Sequence, residues 1–249
     1  MHTESNYSPL PPSSRISQSQ KYVIVRSQRR IFFLKFLLMT LVGWIVGGIA
    51  SLALEKTFLQ LLPGLAPEYQ ENWLIWSKYI STGIFALIFG ADQGLVVCKY
   101  ISGWWWMLAT TVGWLISNHV STTWIEYIET IAASLEKTLS PTDTFMFAMI
   151  STVAYILSGI WLGLCQWLVL RNYAHNPWRW IFLPSFSFLC ISVSLIILAQ
   201  LQDFLPILGQ GRFQYFGEQI LTALMLGVIP SIALCTFRVK SNSREYTSN

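Results

Sequence analysis

Charge is what this sequence has least of. Only 11% of its 249 residues are charged, while 53% are apolar and the mean hydropathy is +0.49. Soluble domains carry about 25% charged residues. The polar surface is therefore too small to cover a water-soluble globule. Catalytic and metal-binding patterns are missing as well. The four cysteines, Cys98, Cys165, Cys190 and Cys235, all fall in apolar runs, form no C-x-x-C pair and have no histidine at ligand spacing. They read as small buried apolar side chains, not as a disulfide or metal set. No H-E-x-x-H, Walker or G-x-G-x-x-G pattern occurs, and no Ser–His–Asp or Cys–His pairing follows from position. The sequence thus points to no catalytic residue, no metal and no cofactor. Its net charge of +4 is concentrated locally. That pattern reads as membrane orientation, and no nucleic-acid partner is expected.

Long apolar runs are abundant. A helix of about 20 apolar residues spans the hydrocarbon layer, and six segments qualify: Ile31–Leu54, Trp73–Cys98, Trp104–Ser121, Thr144–Leu170, Trp178–Leu201 and Phe213–Phe237. The third is the weakest, with Asn118 and His119 near its end. Residues 1–30 read as a basic, disordered cytoplasmic tail, most clearly over the Ser-, Gln- and Pro-rich first 20, and 238–249 as a second tail. The expected domain is therefore a six-helix transmembrane unit over 31–237.

Basic residues set the orientation, because Lys and Arg near helix ends stay on the cytoplasmic side. With the N-terminus inside, only Lys56, Lys78, Lys137 and Arg212 of the 16 basic residues fall outside. The acidic residues do the reverse, from Glu55, Glu68 and Glu71 to Asp203 and Glu218. Six crossings with both termini inside preserve that separation, and five or seven spoil it. Between spans three and four, Trp124, Ile125, Ile128, Ile131, Ala132 and Leu135 recur at helical spacing, opposite Glu126, Glu129 and Glu136. This predicts an amphipathic helix lying on the outer surface. Ser140-Pro141-Thr142-Asp143 reads as the cap that opens span four.

The even-numbered spans end alike. Gly90, Gly163 and Gly227 coincide, followed at the same distance by Gln93, Gln166 and Pro230. Spans one and three share Thr-x-x-Gly-Trp, at Gly43-Trp44 and Gly113-Trp114, with Ser187 in the third copy. The expected fold class is all-α integral membrane: six transmembrane helices as three repeated pairs in one orientation, related by an axis along the membrane normal. Span six should then close the bundle against span one. Gly43, Gly47, Gly90, Gly94, Gly159, Gly163 and Gly227 form small-residue faces that let helices approach closely where lipid supplies little hydrophobic force. Internal packing is the simpler use of these faces, and a homo-oligomer contact the sharper one.

The stretch Gly163-x-x-Gln166-Trp167-Leu168-Val169-Leu170-Arg171, with Trp106-x-x-Ala109-Thr110-x-x-Gly113-Trp114, resembles a family of bacterial multi-pass membrane proteins, seen mostly in cyanobacteria, that repeats both elements. Copy one departs from the pattern at Gly94 and Cys98, and copy three at Pro230. The resemblance covers about residues 31–237. It implies a fold and a bacterial plasma or thylakoid-type inner membrane, and no activity.

Asp92 is the one acidic residue inside a span, about 9 Å from its cytoplasmic end at 1.5 Å per residue. Charge at that depth is costly and faces a bundle interior or a wet cavity. Asp92, Gln93 and Gln166 are therefore the candidate polar site, weighed against a purely structural role. Arg171, Arg179, Trp105, Trp106, Trp178 and Trp180 read as lipid head-group and interface residues. His119 and His175 are lone and read as hydrogen-bonding groups, not ligands. The leading functional expectation is a non-enzymatic scaffold, assembly factor or accessory subunit, in contact with membrane lipids and with a membrane-protein partner or a second copy. The rival is a small transporter or channel subunit with its route past Asp92, Gln93 and Gln166. A lipid-acting membrane enzyme is the weaker alternative.

Overall fold

The computed structural model describes residues 22–64, 66–135, 140–202 and 207–240, and its architecture is all-helical. Six long helices follow one another: α1 (Arg29–Leu61), α2 (Pro67–Val97), α3 (Gly103–Ser134), α4 (Pro141–Leu170), α5 (Leu183–Gln202) and α6 (Ile207–Thr236). A 3-10 turn, Pro177–Phe182, leads into α5. Five of the six are long and apolar enough to cross a membrane; α3 falls short. Its Ser, Thr, Asn118 and His119 lower its hydropathy, yet it is as long as its neighbours. The expected tails over 1–21 and 241–249 lie outside the described residues.

The sequence placed the basic ends of the helices within a few residues, with the start of α4 and the end of α5, and missed the opposite ends of α1, α2, α3 and α6. Helix α1 runs 33 residues, about 50 Å, against a hydrocarbon layer of about 30 Å. Exposed Glu and Lys do not break a helix, so the chain stays helical past its apolar stretch until a proline intervenes. Correspondingly, Trp124 to Ala132 do not form a separate surface helix. They are the last turns of α3, and Trp124, Ile128 and Ile131 face α4 across an apolar cavity.

Proline and a capping box open α4. The Ser140 hydroxyl accepts from the Asp143 N–H, and the Asp143 carboxylate accepts from the Ser140 N–H. Two otherwise orphaned backbone donors are thereby satisfied. Ser140→Ala should lower helix stability by about 1 kcal/mol. A change in the thermal midpoint of the detergent-solubilised protein would measure it, and an unchanged midpoint would show the box to be idle.

Each helix packs on its neighbours in sequence, and α6 packs on α1, so the six make a closed ring. Two buried clusters fill its axis. One draws on every helix: Phe89, Leu162, Phe188 and Leu226 are buried in it, and Trp44 and Trp114 pack half-buried against them. The other lies nearer the basic end and joins Phe36, Val97, Trp106, Leu170, Trp180 and Leu234. A cluster that draws on all six members of a ring sits at its centre. Trp114 meets Trp44 at 6.0 Å and Phe188 at 6.3 Å, both edge to face. Such pairs each contribute roughly 0.5–1.5 kcal/mol beyond area burial.

The basic end is capped by short bridges. Tyr22 pairs with Arg238 and Ala174 with Val239. The Val23 N–H donates to the Phe237 carbonyl at 2.9 Å, and Ile24 beneath it is buried. This corrects the expected tail: residues 22–30 are not loose but form a bridge, a 3-10 turn and the first residues of α1, and 238–240 are tied down with them. Arg29 stacks on the Tyr22 ring at 4.5 Å. A hydrogen bond from Arg26 holds the Tyr22 hydroxyl below the usual tyrosine range.

Candidate functional site

The polar residues inside the bundle are mostly spent on holding helices together. Gln93 and Gln166 are both buried. The Trp106 indole N–H donates to Gln93 Oε1 at 3.3 Å, and the Trp180 N–H donates to Gln166 Oε1 at 2.9 Å. Gln166 also donates from Nε2 to Thr110 Oγ1 at 3.0 Å. It therefore ties α4 to the turn before α5 and to α3. A buried amide or indole without a partner is expensive, so these bonds fix which faces meet.

Trp106 and Trp180 were expected at the lipid interface. That expectation is corrected: they are 0% and 1% exposed, in the core, with ring centroids 5.6 Å apart. Each donates its N–H inward to a glutamine, which a lipid-facing indole would give to head groups. Trp105 and Trp178 are exposed, as are Arg171 and Arg179. Arg171 stacks on Trp167 at 5.5 Å and Arg179 on Trp178 at 5.9 Å.

Asp92 does not join the two glutamines. Its carboxylate lies on the other side of α2, against Gly43 of α1; a Cβ at Gly43 would sit 2.8 Å from Asp92 Oδ2. Cys165 takes the matching place against Gly113. Asp92 thus serves the α1–α2 contact, Gln93 the α2–α3 contact, and Gln166 the contacts of α4 with α3 and with the turn before α5.

All seven glycines named from the sequence sit where another helix crosses. A Cβ on Gly47 would meet Phe85, on Gly94 the Gly103 carbonyl, and on Gly159 the Ser185 N–H. The three equivalent glycines meet equivalent partners: Gly90 lies on Met107, Gly163 on Ile181 and Gly227 on Leu37. Measured from the Gly113, Ser187 and Gly43 positions, each of these partners is six residues earlier. At the level of the two glutamines, however, the α6–α1 contact carries Pro230 and Phe36, neither of which can make the bond.

Three polar contacts escaped the sequence reading. Ser117 Oγ and Ser158 Oγ are 3.1 Å apart between α3 and α4. The Trp44 indole donates to Gln219 Oε1 at 2.9 Å, linking α1 to α6. The Tyr79 hydroxyl and His119 Nδ1 are 2.8 Å apart, which gives His119 a hydrogen-bond partner on α2. His175 is exposed, and its backbone N–H donates to Arg238. Gln219 follows Glu218 near the start of the apolar part of α6, and nothing in the sequence singled it out. Among the described residues no three His, Cys, Asp or Glu side chains gather, and the cysteines are free.

A helical ring with five helices of membrane-crossing length and apolarity defines the chain as a multi-pass membrane protein. No family model, curated protein or solved structure matches it.

Proposed function

We propose that this chain is a non-enzymatic membrane protein acting as a scaffold, assembly factor or accessory subunit. On this reading it has six spans as three repeated helix pairs, with both termini in the cytoplasm. Helix α3 is the sixth span, since it lies in the ring between α2 and α4. The matched glycine contacts support the repeat, and the gathering of basic residues at one end supports the orientation. The Gly-x-x-Gln-Trp-Leu-Val-Leu-Arg motif supports the proposed bacterial family.

One observation carries the functional reading. Gln93 and Gln166 are engaged by Trp106, Trp180 and Thr110, while aromatic clusters occupy the ring axis. A conduction route needs polar groups lining a wet path. Here those groups face tryptophans, and the transport alternative is left with Asp92 alone.

The test is to solubilise native membranes in mild detergent, separate complexes on a native gel and identify what migrates with this chain by mass spectrometry. Migration within a larger assembly is expected and names the partner. Migration alone, together with an ion or proton flux in proteoliposomes that Asp92→Asn abolishes, would overturn the scaffold reading in favour of transport.

A further inference from the structure

Three grooves open at the basic end of the bundle, one in each helix pair, and their walls correspond position by position. Between α1 and α2 the groove holds about 490 Å³ and is lined by Lys35, Met39, Val96, Lys99 and Tyr100, among others. Between α3 and α4 a groove of about 490 Å³ has Trp105, Ala109, Val169, Asn172 and Tyr173 at those places. Beside α6 the matching set is Arg179, Leu183, Ala233, Thr236 and Phe237, around about 390 Å³. The shape is shared and the chemistry is not. Only the α1–α2 groove places a lysine at both polar positions, one on α1 and one in the turn after α2.

We propose that the α1–α2 groove binds one anionic phospholipid, its phosphate held between Lys35 and Lys99 and an acyl chain lying along Leu38 and Leu95. Charge complementarity and position carry this. Both ammonium groups are exposed at the end of the bundle where the basic residues collect. No acidic side chain lines the groove. Beneath the lysines the wall turns apolar, with Leu38 61% and Leu95 64% exposed. That sequence of cation above hydrocarbon is the profile of a phospholipid, and a soluble phosphate would leave the apolar wall unmatched. A lysine near an anionic leaflet contributes about 1 kcal/mol, and two that converge on one phosphate give selectivity for charge. The α3–α4 groove, with Trp105 and Asn172 instead, is a built-in comparison of the same shape without the cations.

The test is native mass spectrometry of the full chain released from micelles with phosphatidylglycerol or phosphatidylcholine added. Phosphatidylglycerol should be retained as a single adduct in preference to phosphatidylcholine. Lys35→Gln with Lys99→Gln should cut that retention about thirtyfold, from two such contacts. Equal retention of the two lipids, or retention unaffected by the double change, would overturn the site. In a second variant, Trp105→Lys with Asn172→Lys should add a second phosphatidylglycerol. The control rests on the repeated-pair reading. Loss in the first variant without gain in the second would leave the lipid site standing and count against the repeat, so the two can fail separately.

Discussion

Gly163→Ala should unfold the α4–α5 junction, whereas Gly48→Ala and Gly83→Ala should be harmless. An added Cβ at Gly163 would run into the Ile181 carbonyl, and its next neighbours are also Ile181 backbone atoms. A flexible side chain can rotate away, but a backbone carbonyl moves only if its helix does. Overpacking of a tight core costs about 1–3 kcal/mol, and this site should lie at or above the top of that range. Gly48 and Gly83 are the controls, because nothing lies within 4 Å of a Cβ built on either. The readout is the temperature at which the detergent-solubilised protein loses its monodisperse peak on size exclusion. Equal midpoints for Gly163→Ala and Gly48→Ala would show that α4 does not depend on this approach.

The second large effect should come from Gln166. Gln166→Leu removes both the acceptor of the Trp180 N–H and the donor to Thr110, in the buried interior of the bundle. Hydrogen bonds between helices in lipid average about 0.6 kcal/mol, but orphaning a buried group costs about 1–3 kcal/mol. A loss of about 2 kcal/mol is expected, more than for Gln93→Leu, whose single bond to Trp106 is longer at 3.3 Å. Adding Trp180→Phe should recover part of it, since no N–H then needs an acceptor. The α6–α1 contact already has this form, with Phe36 and Pro230. A double-mutant cycle without coupling between positions 166 and 180 would refute the brace.

Helix number and ring order were legible in the sequence because both are set by local patterns. Apolar runs, glycines at matching places and Trp and Arg at one set of ends mark where helices lie and which faces approach. At the acidic side the ends of α1, α2, α3 and α6 were not legible, because apolarity measures the thickness of a membrane and not the length of a helix, whereas the capping box announced the start of α4. Glu126 and Glu129 stay helical in α3 at little cost. The pairing of Gln with Trp was hidden differently. Gln93 and Gln166 read as a polar site and Trp106 and Trp180 as interface anchors, two separate expectations from two composition rules. Partnership needs the crossing angle and depth of two helices, which no spacing within one helix supplies. Trp105 and Trp106 show the difference best: adjacent in sequence, one is 61% exposed and the other 0%.

The ring closes between the first helix and the last, and that sets an order in time. Val23 is bonded to Phe237, so that contact waits for almost the whole chain to be made. At 5–20 residues per second the delay is roughly 10–40 s. Through it α1 has only α2 beside it on the ring, with the face that will receive Gly227 still open. At the level of Phe36 the wait leaves no indole donor unpaired, because phenylalanine has none. Trp44 is the exception: its acceptor, Gln219, is carried by α6. The newborn protein therefore passes through a stage in which one half-buried tryptophan of the first helix has no acceptor from this chain, until the last helix arrives.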